Sequence, residues 1–135
     1  MSATLQSKTA ILVYVESDDA FYDMYEAYQP DLAALTRIAI RRPLAHVIAP
    51  SRYSCKDCIR NMPRMARIAD YLPGWTWDVY AHDENLDRSD ALGVTNIPTF
   101  IILEAENGRE LGRIVENPVS GSLEADLLQI VASAR

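Results

Sequence analysis

Apolar and polar positions along this chain fall into short runs whose period changes from one to the next, so elements can be read in turn. Residues 1–9 are polar and are expected to be loose. Ala10–Val15 is an apolar, β-branched run that fits a strand by local propensity. Ile11, Val15, Tyr22, Tyr25 and Tyr28 also lie near helical spacing, so a helix covering most of residues 9–28 is a second open reading. Within it, Ser17–Tyr28 reads as helical with Ser17 as candidate N-cap. Asp31–Ile40 predicts a further helix, stopped by Arg41, Arg42 and Pro43.

From Leu44 onward the pattern is that of alternating strands and helices. Leu44–Ala49 predicts a strand, and Pro50–Ser54 a polar turn. Cys58–Leu72 reads as an amphipathic helix with Ile59, Met62, Met65, Ala66 and Ala69 on one face. Pro63 lies inside it, where a missing backbone donor predicts a kink. Thr76–Ala81 predicts the next strand and Leu86–Leu92 a short helix closed by Gly93. Thr99–Leu103 has no polar alternation after Thr99, as for a strand covered on both faces. Asn107-Gly108 is a hairpin signal that pairs it with Leu111–Glu116. Ser122–Ala134 closes the chain as a helix with Leu123, Leu127, Ile130 and Val131 facing inward. A strand–helix–strand unit requires a parallel pair, and the hairpin adds an antiparallel one. The expected fold class is therefore α/β, a mixed sheet of about four strands with helices on both faces, behind a mainly helical N-terminal region.

Composition narrows the function. The 135 residues suit one domain able to bury a core without disulfide staples. A net charge of −6 argues against nucleic-acid and anionic-membrane partners, which select basic surfaces. No apolar stretch approaches the roughly 18 residues of a membrane span. The first residues carry no basic segment followed by an apolar one, so a cytoplasmic location is expected.

The chain has 2 cysteines, Cys55 and Cys58, separated by Lys56 and Asp57. Two cysteines so close staple almost nothing, and a reversible redox pair suits the spacing better. At a strand-to-helix join, the first sulfur meets free backbone N–H groups and the positive helix end, which favour the thiolate. Cys55 is the candidate nucleophile and Cys58 the resolving thiol. Lys56 would help the thiolate and Asp57 oppose it. The competing readings are half of a metal site or an inert pair. A zinc site asks for four ligands, and His46 and His82 are the other strong candidates. His82 ends the second parallel strand, which places it either near the thiols or on a solvated loop. Trp75 and Trp77 read as packing residues, and Tyr14, Tyr22, Tyr25 and Tyr28 as the contacts of the N-terminal region with the core.

Several further residues carry a resemblance. Cys55 and Cys58 are followed by Pro63; Asp83-Glu84-Asn85 leads through Leu92-Gly93-Val94-Thr95-Asn96 into Ile97-Pro98-Thr99-Phe100; Asn107-Gly108-Arg109-Glu110 follows. This pattern resembles the thioredoxin family over about residues 44–135, with residues 1–43 an extension similar to the helical one of a branch of bacterial thioredoxin-like proteins. The resemblance implies a thioredoxin fold and a single domain over 1–135. It implies a cis bond before Pro98, with Pro98 facing the cysteines and the backbone of Ile97 presented to an extended substrate. Tyr53 and Ser54 stand where the family docks its partners, and Ser54 replaces the tryptophan that usually precedes the first cysteine. Ala49 stands where the family carries a buried acid, so Cys58 would need water or a neighbour such as His82 to lose its proton. The function expected is a thiol–disulfide oxidoreductase acting on a protein or small-molecule disulfide, recharged by an electron-donating reductase and holding no cofactor or metal. A redox-sensing or adaptor module without turnover is the alternative.

Overall fold

In a computed structural model, which describes residues 8–133, the chain forms six α-helices and one four-stranded sheet among the described residues. Helix α1 is Ala10–Glu16, and the strand reading of this stretch is thereby corrected. Its propensity is overridden by two helical features. The Thr9 side chain accepts a hydrogen bond from the Leu12 N–H, satisfying a free donor of the first turn. Ile11 and Val15, four apart, are fully buried, so burial of a helical stripe decides the conformation.

Ser17 is not an N-cap. It ends α1, its hydroxyl donating to the Val13 carbonyl, and Asp18 precedes α2, Asp19–Ala27. Helix α2 buries Phe21 and Tyr25, again four apart. Asp31 caps α3, Leu32–Arg41, accepting from the Ala34 N–H at 3.1 Å, and Ala34, Leu35 and Ile38 face the core.

Strand β1, Ala45–Ser51, extends past the expected Ala49 and takes in Pro50 and Ser51 of the predicted turn. Pro50 is tolerated beyond Ile48, where pairing with the antiparallel neighbour has ended. Helix α4, Lys56–Ala69, starts before Cys58 and runs through the buried Pro63. Strand β2, Trp75–Ala81, is followed by a 3-10 turn, His82–Glu84, and by α5, Leu86–Ala91, which Gly93 closes at φ 69°. Strands β3, Thr99–Leu103, and β4, Glu110–Val115, form the hairpin, with Gly108 at φ 72° in its turn. Helix α6 is Leu123–Ser133; the predicted Ala134 end lies outside the described residues, as do residues 1–7 of the polar start.

The sheet order is β2-β1-β3-β4, with β1 parallel to β2 and both other pairs antiparallel. This is the α/β thioredoxin fold with helices α1–α3 preceding it. Helices α1 and α2 pack on α4, and α3 packs on α6. Trp75 and Trp77 are buried as packing residues. On α6, Glu124 is 1% exposed and accepts from the Tyr28 hydroxyl at 2.7 Å and the Asp31 N–H at 2.8 Å, tying the N-terminal helices to the sheet-bearing part. No helix among the described residues is long and apolar enough to cross a membrane.

Candidate active site

Helix α4 begins one residue after Cys55, which makes Cys55 its N-cap. Its extended backbone, φ −93° and ψ 126°, turns the side chain back over the first turn, where Sγ accepts from the Cys58 N–H at 3.4 Å. A sulfur at this position receives a donor that would otherwise be free and sits at the positive end of the helix. Cys55 is half-buried, whereas Cys58, three residues on, is fully buried. Burial pushes the Cys58 thiol up to about 12; the Ser51 hydroxyl, hydrogen-bonding to its sulfur, pulls the other way. Both cysteines are free thiols.

The Ile97–Pro98 peptide bond is cis. Across from the helix start, the Cys55 thiol donates to the Ile97 carbonyl at 3.6 Å, so Ile97 and Pro98 are brought to the half-exposed sulfur. Behind that loop, the Glu116 N–H donates to the Pro98 carbonyl at 2.7 Å. Asn61, buried on α4, donates to the carbonyl of Glu116 and to the Asn117 side chain, both at 2.8 Å. Asn117 in turn donates to Asp57 at 3.2 Å. Asp57 is therefore tied to this clasp, while Lys56 and Ser54 are exposed.

Tyr53 is 41% exposed and is held from the N-terminal side. Its ring stacks on Tyr14 at 4.3 Å and meets Phe21 edge-on at 5.1 Å, and its hydroxyl donates to the Tyr14 carbonyl at 2.7 Å. His82 Nδ1 is hydrogen-bonded to the Ser89 hydroxyl at 2.8 Å. The 3-10 turn that follows β2 directs the ring toward α5. His46 pairs instead with Thr76. Among the described residues no group of three or more His, Cys, Asp or Glu is arranged to hold a metal ion.

Two site residues escape the sequence reading. Ser51 is fully buried beside Cys58, and Tyr14 donates to its hydroxyl at 3.1 Å from α1. A signal for Ser51 exists: Ala45, Val47, Ala49 and Ser51 share the β1 face that is buried, so the last places a hydroxyl on an apolar row. Tyr14 has no local signal, because its partner lies 37 residues away.

Solved structures share this architecture at low identity. An HIV epitope-scaffold is 18% identical with a TM-score of 0.73, covering 95% of this chain and 94% of that one, so the likeness includes the N-terminal helices. A protein of unknown function from Pseudomonas aeruginosa is 18% identical with a TM-score of 0.58, over 94% of this chain and 82% of its own. Thioredoxin from Fasciola hepatica is 20% identical with a TM-score of 0.54, over 74% of this chain and 89% of its own. No curated protein matches by sequence. A family model described as thioredoxin matches residues 6–124, which takes in α1–α3 as well as the cysteine pair and the cis-proline loop. By that match, the chain belongs to the thioredoxin family.

Proposed function

We propose that the protein is a thiol–disulfide oxidoreductase that exchanges the Cys55–Cys58 dithiol with protein or small-molecule disulfides. The observation that carries this reading is the contrast within one helical turn. Cys55 is half-exposed and N-caps α4, whereas Cys58 is buried. A thiolate at the helix N-terminus is the attacking species, and a shielded second thiol is reserved for the intramolecular step. Cys55 attacks one sulfur of the substrate disulfide and forms a mixed disulfide, releasing the first substrate thiolate. Cys58 then attacks Cys55 Sγ and releases the second. The backbone of Ile97, beside Cys55, lines the place where the substrate strand lies. A separate reductase returns two electrons to the Cys55–Cys58 disulfide.

The adaptor reading draws support from Ser54, an exposed hydroxyl next to the nucleophile where partner docking favours a large aromatic surface. Two measurements separate the readings. Multiple-turnover reduction of a protein disulfide is expected for the oxidoreductase; binding without turnover would leave only the adaptor. The Cys58→Ser variant is expected to accumulate mixed disulfides at Cys55, and Cys55→Ser to accumulate none. Equal capture by both variants would overturn the assignment of nucleophile and resolver.

A further inference from the structure

The resolving thiol faces a difficulty that the attacking one does not. Cys58 must lose its proton in a site where no water-exposed surface stabilises the thiolate. Ala49, fully buried on the same strand face, can neither donate nor accept through its side chain. What stands beside Cys58 is a pair of hydroxyls with a defined direction. The Tyr14 O–H donates to Ser51 Oγ at 3.1 Å. That leaves the proton of Ser51 available, and the Ser51 hydroxyl acts on Cys58 in the sense that favours its thiolate.

Ser51 is fully buried at the end of β1, where a hydroxyl needs partners for its donor and its acceptor. Tyr14 supplies one and Cys58 the other. The phenol ring is itself fixed: it stacks on Tyr53 with an interplanar angle of 10° and meets Phe21 edge-on at 5.8 Å. Burial raises the Tyr14 phenol above its ordinary range, so it remains a protonated donor through the working pH range. The groups acting on Cys58 come from each neighbouring segment: the Ser51 hydroxyl at the end of β1, the Arg52 backbone N–H, and the Cys55 thiol at the start of α4. Tyr14 of α1, for its part, senses both thiols.

We propose that Tyr14 and Ser51 form a donor relay into Cys58 that stabilises its thiolate during resolution, so that helix α1 is part of the active site. This rests on the oxidoreductase reading above. In the step concerned, Cys58 releases its proton to water and its thiolate attacks Cys55 Sγ. The Cys55–Cys58 bond forms and the bond from Cys55 to the substrate sulfur breaks. The departing substrate thiolate takes the electron pair and a proton from water. The dithiol is oxidised and the substrate disulfide reduced, with no other co-reactant. In this relay Ser51 donates to the reacting sulfur, and Tyr14 is a positioning residue that acts through Ser51.

The test uses the reduced full chain and 5,5′-dithiobis(2-nitrobenzoate), whose two thiolate products report the two steps separately. The first release follows attack by Cys55 and the second follows resolution by Cys58. In Ser51→Ala the second phase is expected to slow by about tenfold or more, the loss of a hydrogen bond to a charged acceptor, with its pH midpoint moved upward. The first phase stays within about twofold, since Cys55 is held by the helix N-terminus. Tyr14→Phe is expected to slow the second phase by roughly threefold, and to add nothing in the Ser51→Ala background, because it acts through the missing hydroxyl. Each variant removes one oxygen, and equal denaturation midpoints to within a few degrees verify that the fold is kept. A second phase whose rate and pH midpoint are unchanged in both single variants overturns the relay. A Tyr14→Phe effect that persists undiminished in the double variant overturns the route through Ser51. Turnover of a protein or small-molecule disulfide with an indifferent second phase refutes the relay alone; a Ser51-dependent second phase without multiple turnover of either kind of disulfide leaves the relay and refutes the oxidoreductase reading.

Discussion

The sheet-bearing part of the molecule and the N-terminal helices serve the two cysteines unequally. Cys55 is positioned by the former: β1 leads to it, α4 starts behind it, and the Ile97 carbonyl faces it. Cys58 lies one turn deeper, next to the Ser51 hydroxyl that Tyr14 of α1 contacts. The same helix pair holds Tyr53, two residues before the first cysteine, by a stack, an edge contact and a hydrogen bond. What could pass for an appended segment is thus the wall of the buried half of the site. A nucleophile needs exposure and a helix end, which local structure provides; a resolving thiol needs enclosure, which takes contacts from distant chain.

Removing the packing at that wall is the strongest way to test the contrast. Phe21 is fully buried and touches both Tyr14 and Tyr53. Phe21→Ala is expected to cost about 3–5 kcal/mol in urea unfolding and to open Cys58 to alkylation in the native state. An unchanged alkylation rate would mean that the N-terminal helices do not enclose the second thiol.

The alkaline stability of the reduced protein sharpens the same contrast. In the folded chain the Cys58 thiol keeps its proton to about 12, against an ordinary value of 9.0. Between those values the unfolded chain has released a proton that the folded one retains. The stabilisation is therefore complete below about pH 9 and is lost as pH rises, by at most about 1.4 kcal/mol per unit. Urea midpoints from pH 8 to 11 under reducing conditions are expected to fall more steeply for the parent than for Cys58→Ser. Parallel curves would place Cys58 in contact with solvent. The buried tyrosines affect both proteins alike and cancel in the difference.

The smallest effect is expected at Lys56, exposed between the cysteines. Lys56→Ala is expected to slow the alkylation of Cys55 by about two- to threefold at low salt, and by less in 0.5 M salt, where exposed charges are screened. A salt-independent drop of tenfold would show that this side chain, and not the helix end, governs the nucleophile.

Much of this arrangement is legible in the order of residues. The strand–helix–strand succession, the Asn107-Gly108 turn, the amphipathic stripe of α4 and the closely spaced cysteines are local signals, each carried by period or by turn chemistry within a few residues. They place both thiols without any knowledge of packing, and the resemblance to the thioredoxin family adds the Ile97-Pro98 loop that faces them. Boundaries are less secure: Cys58 reads as the start of α4 because its apolar stripe begins there, although the helix itself begins at Lys56, where the Cys55 cap permits.

Other decisions belonged to tertiary contacts. Ala10–Glu16 carries β-branched residues that suit either conformation, and the burial of Ile11 and Val15 together, added to the Thr9 cap, selects the helix. His82 leaves the correct end of β2, yet Ser89 in α5 takes up its ring. Ser51 looks like a turn residue until β1 is seen to extend beneath it, and Tyr14 finds it from 37 positions away. The residue order alone settles the succession of elements and the chemical pair, because neighbours along the chain encode them. The tertiary structure alone decided which side chains surround the buried thiol, because that choice is made by surfaces that meet only after the chain has folded.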